Sequence, residues 1–274
     1  MKYKVIFSDL DRTFLDSNSC VSSENKRVVE NLIAKGIPFI PATGRAFGSL
    51  PKDLFGIEGL KYVITSNGVA INEIATGKPI IRTLLPKGFS GKLFDFIEKE
   101  GDIAVEVYYG GKAYCSEAFY DDPVKFGQER AEYVKATRTP VQNLREFALE
   151  RDEELDGLTI ISPYGRLEEL LEKVKARFED QVYITSADGV YIELSNLSCG
   201  KHNALKKMCE RLGVDCREAI AFGDNDNDIE MLQAAGLGIC MANGTESCKA
   251  AADRIGPAFD ENGVAVVLKE LFFS

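Results

Sequence analysis

The stretch Lys4-Val5-Ile6-Phe7-Ser8-Asp9-Leu10-Asp11-Arg12-Thr13 decides how the rest of the chain is read. Val5-Ile6-Phe7 is a continuous apolar run bounded by polar residues. It predicts a strand buried on both faces that ends at Asp9. Strands of this kind build open parallel sheets, which hold ligands beyond their carboxyl ends. Asp9 and Asp11 stand there, two residues apart. Carboxylates held so close repel, and a site bears them only if one is protonated, if water screens both, or if a cation sits beside them. Taken alone, an acid after a strand is an ordinary turn or helix-capping residue.

Reading onward, a loop over Asp16 to Val21 precedes Ser22 and Ser23, which offer N-caps to a helix with Val28, Val29, Leu32 and Ile33 on one side. Gly36 sits where a C-terminal glycine belongs. Ile37 to Ala42 is the next expected strand and closes a βαβ unit. Pro38 and Pro41 remove ladder donors from it, which calls for an edge position or a bulge. A third strand, Tyr62 to Thr65, runs into the turn-forming Ser66-Asn67-Gly68.

After about residue 83 the strand-helix repeat breaks, which marks an inserted α+β domain over 84–194. Its expected parts are a hairpin of Ala104 to Tyr109 with Lys112 to Ser116 around Gly110-Gly111, and helices at Pro123 to Glu132, Asn143 to Glu150 and Leu167 to Phe178. A strand at Leu158 to Ser162 and a second hairpin, Val182 to Ser186 with Val190 to Leu194 around Asp188-Gly189, complete it. Tyr108, Tyr109, Tyr114 and Tyr191 read as packing residues of these strands, outside the site.

The repeat resumes at Lys201, where Ala204, Leu205, Met208 and Leu212 share a helical face ending at Gly213. A strand from Ala219 to Phe222 then meets Gly223-Asp224-Asn225-Asp226-Asn227-Asp228. A helix to Ala235, a strand at Leu237 to Met241 and two short helices finish the chain. The expected fold is therefore α/β: a doubly wound, Rossmann-like parallel sheet from 1–83 and 195–274, with an inserted α+β cap domain.

The second acidic cluster lies at the end of another core strand, which favours a cation shared with Asp9 and Asp11. Oxygen ligands without histidine select a hard ion such as Mg²⁺. The alternating acids also suggest a calcium loop, but Ile229 stands where that loop needs glycine and Ala235 where it needs glutamate. Thr43-Gly44-Arg45, after the second strand, offers a hydroxyl and backbone N–H groups to a phosphate oxygen. Lys201, as a lone lysine before a helix, would ordinarily be solvated.

Bulk properties bound the partners. Forty-three acids against thirty-three bases give a formal charge of −10, a field that repels nucleic acid and anionic membrane surfaces. Seven cysteines without a Cys-x-x-Cys pair read as reduced thiols, which with an opening apolar run too short for a signal sequence points to the cytoplasm. No segment is long and apolar enough for a membrane-spanning helix.

Taken in order, DLDRT at Asp9, TGR at Thr43, SNG at Ser66, GKHNAL at Gly200 and GDNDNDIEML at Gly223 resemble the haloacid dehalogenase superfamily. Within it they resemble the Cof-type sugar-phosphate phosphatases, whose cap is inserted between the second and third motifs. The resemblance implies Asp9 as nucleophile and Asp11 as general acid and base. It implies that Thr43, Gly44, Lys201 and Asn227 bind the phosphoryl group. Mg²⁺ would be held by Asp9, the backbone carbonyl of Asp11 and Asp224, with Asp228 in support. Asn67 falls in a turn near the site, and Arg45 is a further candidate. Where the family usually has glycine this chain has Arg12, which must adopt the loop's backbone and point its side chain elsewhere.

The activity so implied is hydrolysis of a small phosphorylated metabolite through an aspartyl phosphate, with hexose and pentose phosphates first among substrates and with the inserted domain acting as a water-excluding lid. Two alternatives stay open. A phosphotransferase or sugar-phosphate mutase would pass the phosphoryl group to a hydroxyl. A non-catalytic phosphoacceptor module would keep it, though such a module has no use for Asp11.

Overall fold

The computed structural model describes residues 2–273 except 102, 130, 164 and 188, and the side chain of Ala187 is likewise left aside. The expected turn at Asp188 therefore lies outside the described residues. The chain forms two compact units: Met1–Arg45, Leu50–Ile81 and Gly200–Ser274 make the first, Ala46–Ser49 and Arg82–Cys199 the second.

The first unit opens with β1 (Val5–Ser8), α1 (Ser23–Ala34) and β2 (Phe39–Pro41). The Ser22 hydroxyl accepts the Asn25 N–H at 3.1 Å and caps α1, while Gly36 leaves it at φ +83°. β3 (Tyr62–Thr65), β4 (Ala70–Glu73) and β5 (Pro79–Arg82) follow as a separate three-stranded sheet, with β3 and β4 antiparallel. β3 is the third strand expected from the sequence; its sheet partners β4 and β5 were not expected, since they are only four residues long and carry no clean alternation. β3 touches the main sheet through one bridge, Ala42 to Ile64.

The second unit contains α2 (Phe89–Ile97), β6 (Ala104–Tyr109), β7 (Lys112–Ser116), α3 (Glu117–Asp121), α4 (Ala131–Thr137), β8 (Arg138–Val141), α5 (Leu144–Glu150), β9 (Leu155–Ile161), α6 (Leu167–Phe178), β10 (Val182–Ala187) and β11 (Tyr191–Asn196). Its sheet runs β10-β11-β9-β6-β7-β8, antiparallel throughout except for the parallel pair β7 and β8. Val105, Val107, Leu158, Ile160, Ile192 and Leu194 face the helices α2, α5 and α6 in one core cluster. The opposite face carries a cross-strand row of Glu106, Thr159, Glu193 and Thr185. The single helix expected over Pro123 to Glu132 is a misreading. A 3-10 turn spans Val124–Phe126, Gly127 breaks it at φ +88°, and the helix starts only at Ala131.

The chain returns to the first unit with α7 (Lys201–Leu212), β12 (Ala219–Gly223), α8 (Ile229–Ala234), β13 (Leu237–Met241), α9 (Glu246–Ala251), β14 (Arg254–Gly256) and α10 (Gly263–Phe272). The main sheet is ordered β14-β13-β12-β1-β2 and is parallel at every pairing. β1 and β12 are buried over their whole length, which is why neither alternates in sequence. β2, with Pro41, takes the edge of this sheet, as its missing donors require.

Helices cover the sheet as a doubly wound fold demands. Ala204, Leu205 and Met208 of α7, Met231 and Leu232 of α8 and Cys248 of α9 join Val5, Phe7 and Ala221 in one cluster. α1 and α10 pack on each other and on β2 and β14 respectively. Each fully buried Phe or Leu contributes about 1.5–3 kcal/mol. β1 and β12 lie side by side, so their carboxyl ends, with Asp9 and Asp224, open at one edge of the unit.

Candidate active site

Asp9 leaves β1 with its N–H donated to the Phe222 carbonyl of β12 at 2.9 Å, so the backbone of the neighbouring strand fixes where its side chain starts. The next five residues, Leu10–Phe14, form a tight turn closed by the Leu15 N–H on the Leu10 carbonyl at 2.9 Å. Arg12 takes the left-handed conformation there, φ +59° and ψ +16°, and its side chain is exposed. The expectation that an arginine fits this loop holds in the backbone. Asn243, in the loop after β13, donates its side-chain amide to the Arg12 carbonyl at 2.9 Å and braces the turn from outside.

Three carboxylates converge. Asp9, Asp224 and Asp228 are all buried, and each offers an oxygen within 4.8 Å of the other two. Lys201, 1% exposed, sends its Nζ to Asp9 Oδ1 and to Asp228 Oδ1, each at 2.6 Å. The solvated lysine suggested by its sequence context is thus replaced by a fully buried one, because α7 begins pointing directly at the acids. Asp228 spends its other oxygen on the backbone N–H groups of Asp224 at 3.0 Å and Asn225 at 3.1 Å. Gly223 makes that possible: a Cβ there would lie 2.4 Å from the Asp228 Cβ. Thr13 donates its hydroxyl to Asp224 Oδ1 at 3.1 Å.

Electrostatics follow from this burial. Burial pushes the Asp9 carboxyl well above its usual range; Lys201 opposes the shift and Asp228, Asp224 and Asp11 reinforce it. Asp224 is pushed up to about 7, by burial first and then by Asp228, against the Thr13 hydrogen bond, Lys201 and Arg12. Burial alone would discharge Lys201, but Asp228 and Asp9 outweigh it and raise its affinity for the proton. Three ionised carboxylates against one ammonium would leave two negative charges in a buried space, and Asp9 and Asp224 accordingly hold their protons more tightly than usual. A divalent, oxygen-seeking cation fits that deficit, and the residues present can hold one.

The remaining candidates cluster in the loops. Thr43 is buried, its hydroxyl accepts the Arg45 N–H at 3.1 Å, and its carbonyl accepts the Asn67 N–H at 3.0 Å. Gly44 lies between Thr43 and Arg45 and is partly buried. Asn67 takes φ +51°, accepts the Asn227 side-chain amide at 3.1 Å and gives its carbonyl to the Gly200 N–H at 2.9 Å. The loops after β2, β3 and β12 and the start of α7 are thereby tied together. Asp11 stands apart from the buried cluster. Its carboxylate, 39% exposed, meets the Arg45 guanidinium at 2.8 Å and 2.5 Å.

Thr13, Gly223 and Asn243 carry no expectation from the sequence. Thr13 and Gly223 sit inside the quoted motifs, next to the acids, and that position is the signal that could have singled them out. Asn243 offered no signal, since only the fold brings it to Arg12.

Buried acids at the carboxyl ends of adjacent parallel strands, a lysine between them and a separate α+β unit interrupting the chain match what the resemblance to enzymes that handle phosphate esters implies. The sequence profile of the haloacid dehalogenase-like hydrolases matches residues 6–268, and the chain belongs to that family. It is similar to the phosphatase YwpJ of Bacillus subtilis, 29% identical with 98% of this chain and 99% of that one aligned. It is also 29% identical to the phosphoglycolate phosphatase of Methanopyrus kandleri, over 97% and 96% of the two chains. Among solved structures, the fold matches a subclass IIB sugar phosphatase, BT4131, with a TM-score of 0.84 over 98% of each chain at 21% identity. The protein is a phosphoric monoester hydrolase of this family, acting on small phosphorylated substrates. Among the described residues, no helix is long and apolar enough to cross a membrane.

Proposed function

We propose that the chain hydrolyses sugar phosphates through an aspartyl phosphate on Asp9 with Mg²⁺ as cofactor. The observation that carries this reading is the buried Asp9 carboxylate, whose Oδ1 is held by Lys201 beside Asp224. Asp9 and Asp224 would be the side chains that hold the ion, as Asp228 is already engaged by Lys201 and two backbone donors. The ion supplies charge neutralisation between the carboxylates and the phosphate.

Asp9 is fixed at its backbone and at Oδ1, so it presents a defined oxygen for in-line attack on phosphorus. As that O–P bond forms, the ester P–O bond breaks, and Asp11 gives the departing oxygen a proton. The Asp11 carboxylate then takes a proton from water, whose oxygen attacks the phosphorus of the aspartyl phosphate and frees Asp9 and orthophosphate. Lys201, Thr43 and Asn227 would hold the phosphoryl oxygens through the exchange. The inserted unit would exclude water and select the organic part of the substrate.

Phosphate release across a panel of sugar phosphates, phosphoglycolate and nucleotides tests this, with Mg²⁺ or with chelator, for the native chain and Asp9→Asn. Metal-dependent turnover of sugar phosphates, abolished in Asp9→Asn, is the expected result. Turnover surviving in Asp9→Asn overturns the assignment of the nucleophile, and phosphoglycolate outrunning every sugar ester overturns the substrate class.

A further inference from the structure

Arg45 is placed with more care than a phosphate-loop arginine needs. Its Nε–H goes to Asp11 Oδ2 at 2.8 Å and its Nη2 to Asp11 Oδ1 at 2.5 Å, a planar fork on a planar carboxylate. Nη2 also lies 3.3 Å from the Ser19 hydroxyl, on the loop that follows the Asp9 turn. The backbone of Arg45 is pinned from both sides, its N–H on the Thr43 hydroxyl at 3.1 Å and its carbonyl under the Ser66 N–H at 2.9 Å. The arginine side chain is 11% exposed and that of Asp11 39% exposed. The guanidinium is therefore the anchored partner, and the carboxylate the one that reaches outward.

A stabilising role is open to any bidentate arginine–carboxylate pair, but it does not explain why this one is made to Asp11, two residues from Asp9. A phosphate-binding role accounts for it poorly, because Nε and Nη2 are both directed at Asp11. We propose that Arg45 is the positioning residue for Asp11, fixing the plane of that carboxyl so that its proton exchanges with the leaving oxygen and then with water proceed from one orientation. The inference rests on the reading of Asp11 as acid and base given above. A bidentate fork is what sets an orientation: a lysine, with one point charge, fixes a distance but no plane.

The experiment compares kcat/KM for two substrates in Arg45→Met, Arg45→Lys, Asp11→Asn and the double variant Asp11→Asn/Arg45→Met. One substrate is p-nitrophenyl phosphate, whose leaving group departs without a proton. The other is whichever alkyl phosphate of the panel the native chain turns over fastest. This ratio reports the first half-reaction only, where the acid acts on the leaving oxygen. Removing a well-placed general acid costs about 10²–10⁴ in rate. Arg45→Met is expected to lose about 10²-fold on the alkyl ester and less than about 3-fold on the aryl ester, with Arg45→Lys in between. The double variant is expected to be no worse than Asp11→Asn, because Arg45 acts only through Asp11.

Equal losses on both esters, or additive losses in the double variant, overturn the proposal and make Arg45 a binding or structural residue. If Arg45→Met does not fold, the same comparison with Arg45→Lys decides. Failure of the underlying reading looks different: Asp11→Asn then spares alkyl esters while Asp9→Asn still abolishes turnover.

Discussion

Lys201 Nζ lies 2.6 Å from Asp228 Oδ1, and the opposite oxygen of that carboxylate receives two backbone N–H groups. Asp228 is thus filled by the protein itself, whereas among the described residues Asp224 has only the Thr13 hydroxyl on one oxygen. Two neighbouring acids of one motif should therefore fail differently. Asp228→Asn leaves Lys201 paired with Asp9 but turns an amide NH2 toward either the Lys201 ammonium or two backbone N–H groups, and is expected to destabilise the metal-free protein by about 1–3 kcal/mol. Asp224→Asn is expected to leave metal-free stability within about 1 kcal/mol, or raise it, since a neutral amide relieves carboxylate repulsion. It should abolish the rise in Tm expected when Mg²⁺ is added to the native chain. Urea denaturation and thermal melts across a Mg²⁺ titration check both. A Mg²⁺-dependent Tm shift retained in Asp224→Asn would remove Asp224 from the metal site.

Arg12 occupies the left-handed region at φ +59°, where glycine is unstrained and other residues are disfavoured by about 1 kcal/mol. Its positive charge favours the ionised form of Asp224, the last of the influences on that group. Arg12→Gly removes both the backbone strain and the charge, while glycine's looser unfolded chain offsets part of the gain. The expected change in stability is within about 1 kcal/mol. Mg²⁺ affinity, read from the same Tm titration, is expected to hold or rise, because a cation no longer competes near Asp224. Turnover rising by orders of magnitude would show instead that Arg12 obstructs the site.

The sequence exposed the parallel core because its strands are buried on both faces: Val5 to Phe7, Ala219 to Phe222 and Leu237 to Met241 stand out as apolar runs. It exposed the hairpin at Gly110-Gly111 because both glycines take positive φ. It hid β8, whose Arg138-Thr139-Pro140-Val141 has no apolar pattern, and β14, three residues long. Those strands owe their pairing to neighbours. The site was legible as residue types but not as partnerships. Lys201 alone reads as solvated, and nothing local says that it bridges Asp9 and Asp228, some 192 and 27 residues away. Nor does the motif order reveal that Asp11 turns to Arg45, a pairing made by the crossover from β1 to β2.

Inside the second unit, Arg138 places Nε 2.7 Å and Nη2 2.9 Å from the two oxygens of Glu106, which is wholly buried. The Tyr108 hydroxyl donates to the same carboxylate at 2.8 Å, and the Tyr133 ring lies under the guanidinium. Burial works against the Arg138 charge, but Glu106 overcomes it and raises its proton affinity. Arg138→Met leaves a buried acid without its cation, and a loss of about 3–5 kcal/mol is expected in urea denaturation. Replacing both partners, Glu106→Leu with Arg138→Met, removes the orphaned charge, and most of the loss should return. A double variant as unstable as Arg138→Met would show that the pair is needed for the fold of this sheet beyond its charges.

His202 is the single histidine of the chain, so its titration can be followed without ambiguity. It follows Lys201 on α7, with Nδ1 2.9 Å from Glu230 Oε2 and a side chain 16% exposed. Burial holds its pKa below the usual 6.5; Glu230 pulls the other way and Lys206 reinforces the depression. The folded chain thus binds fewer protons here than the unfolded chain. The stability His202 contributes is complete above about pH 6.5 and is lost as the pH falls toward and through its folded value. The single imidazole Hε1 resonance is expected to titrate with a midpoint below 6.5. In His202→Gln, stability should fall less steeply on the acid side of that pH than in the native chain. A midpoint above 6.5 would mean that the Glu230 carboxylate outweighs burial, and the slope of stability with pH would then reverse its sign.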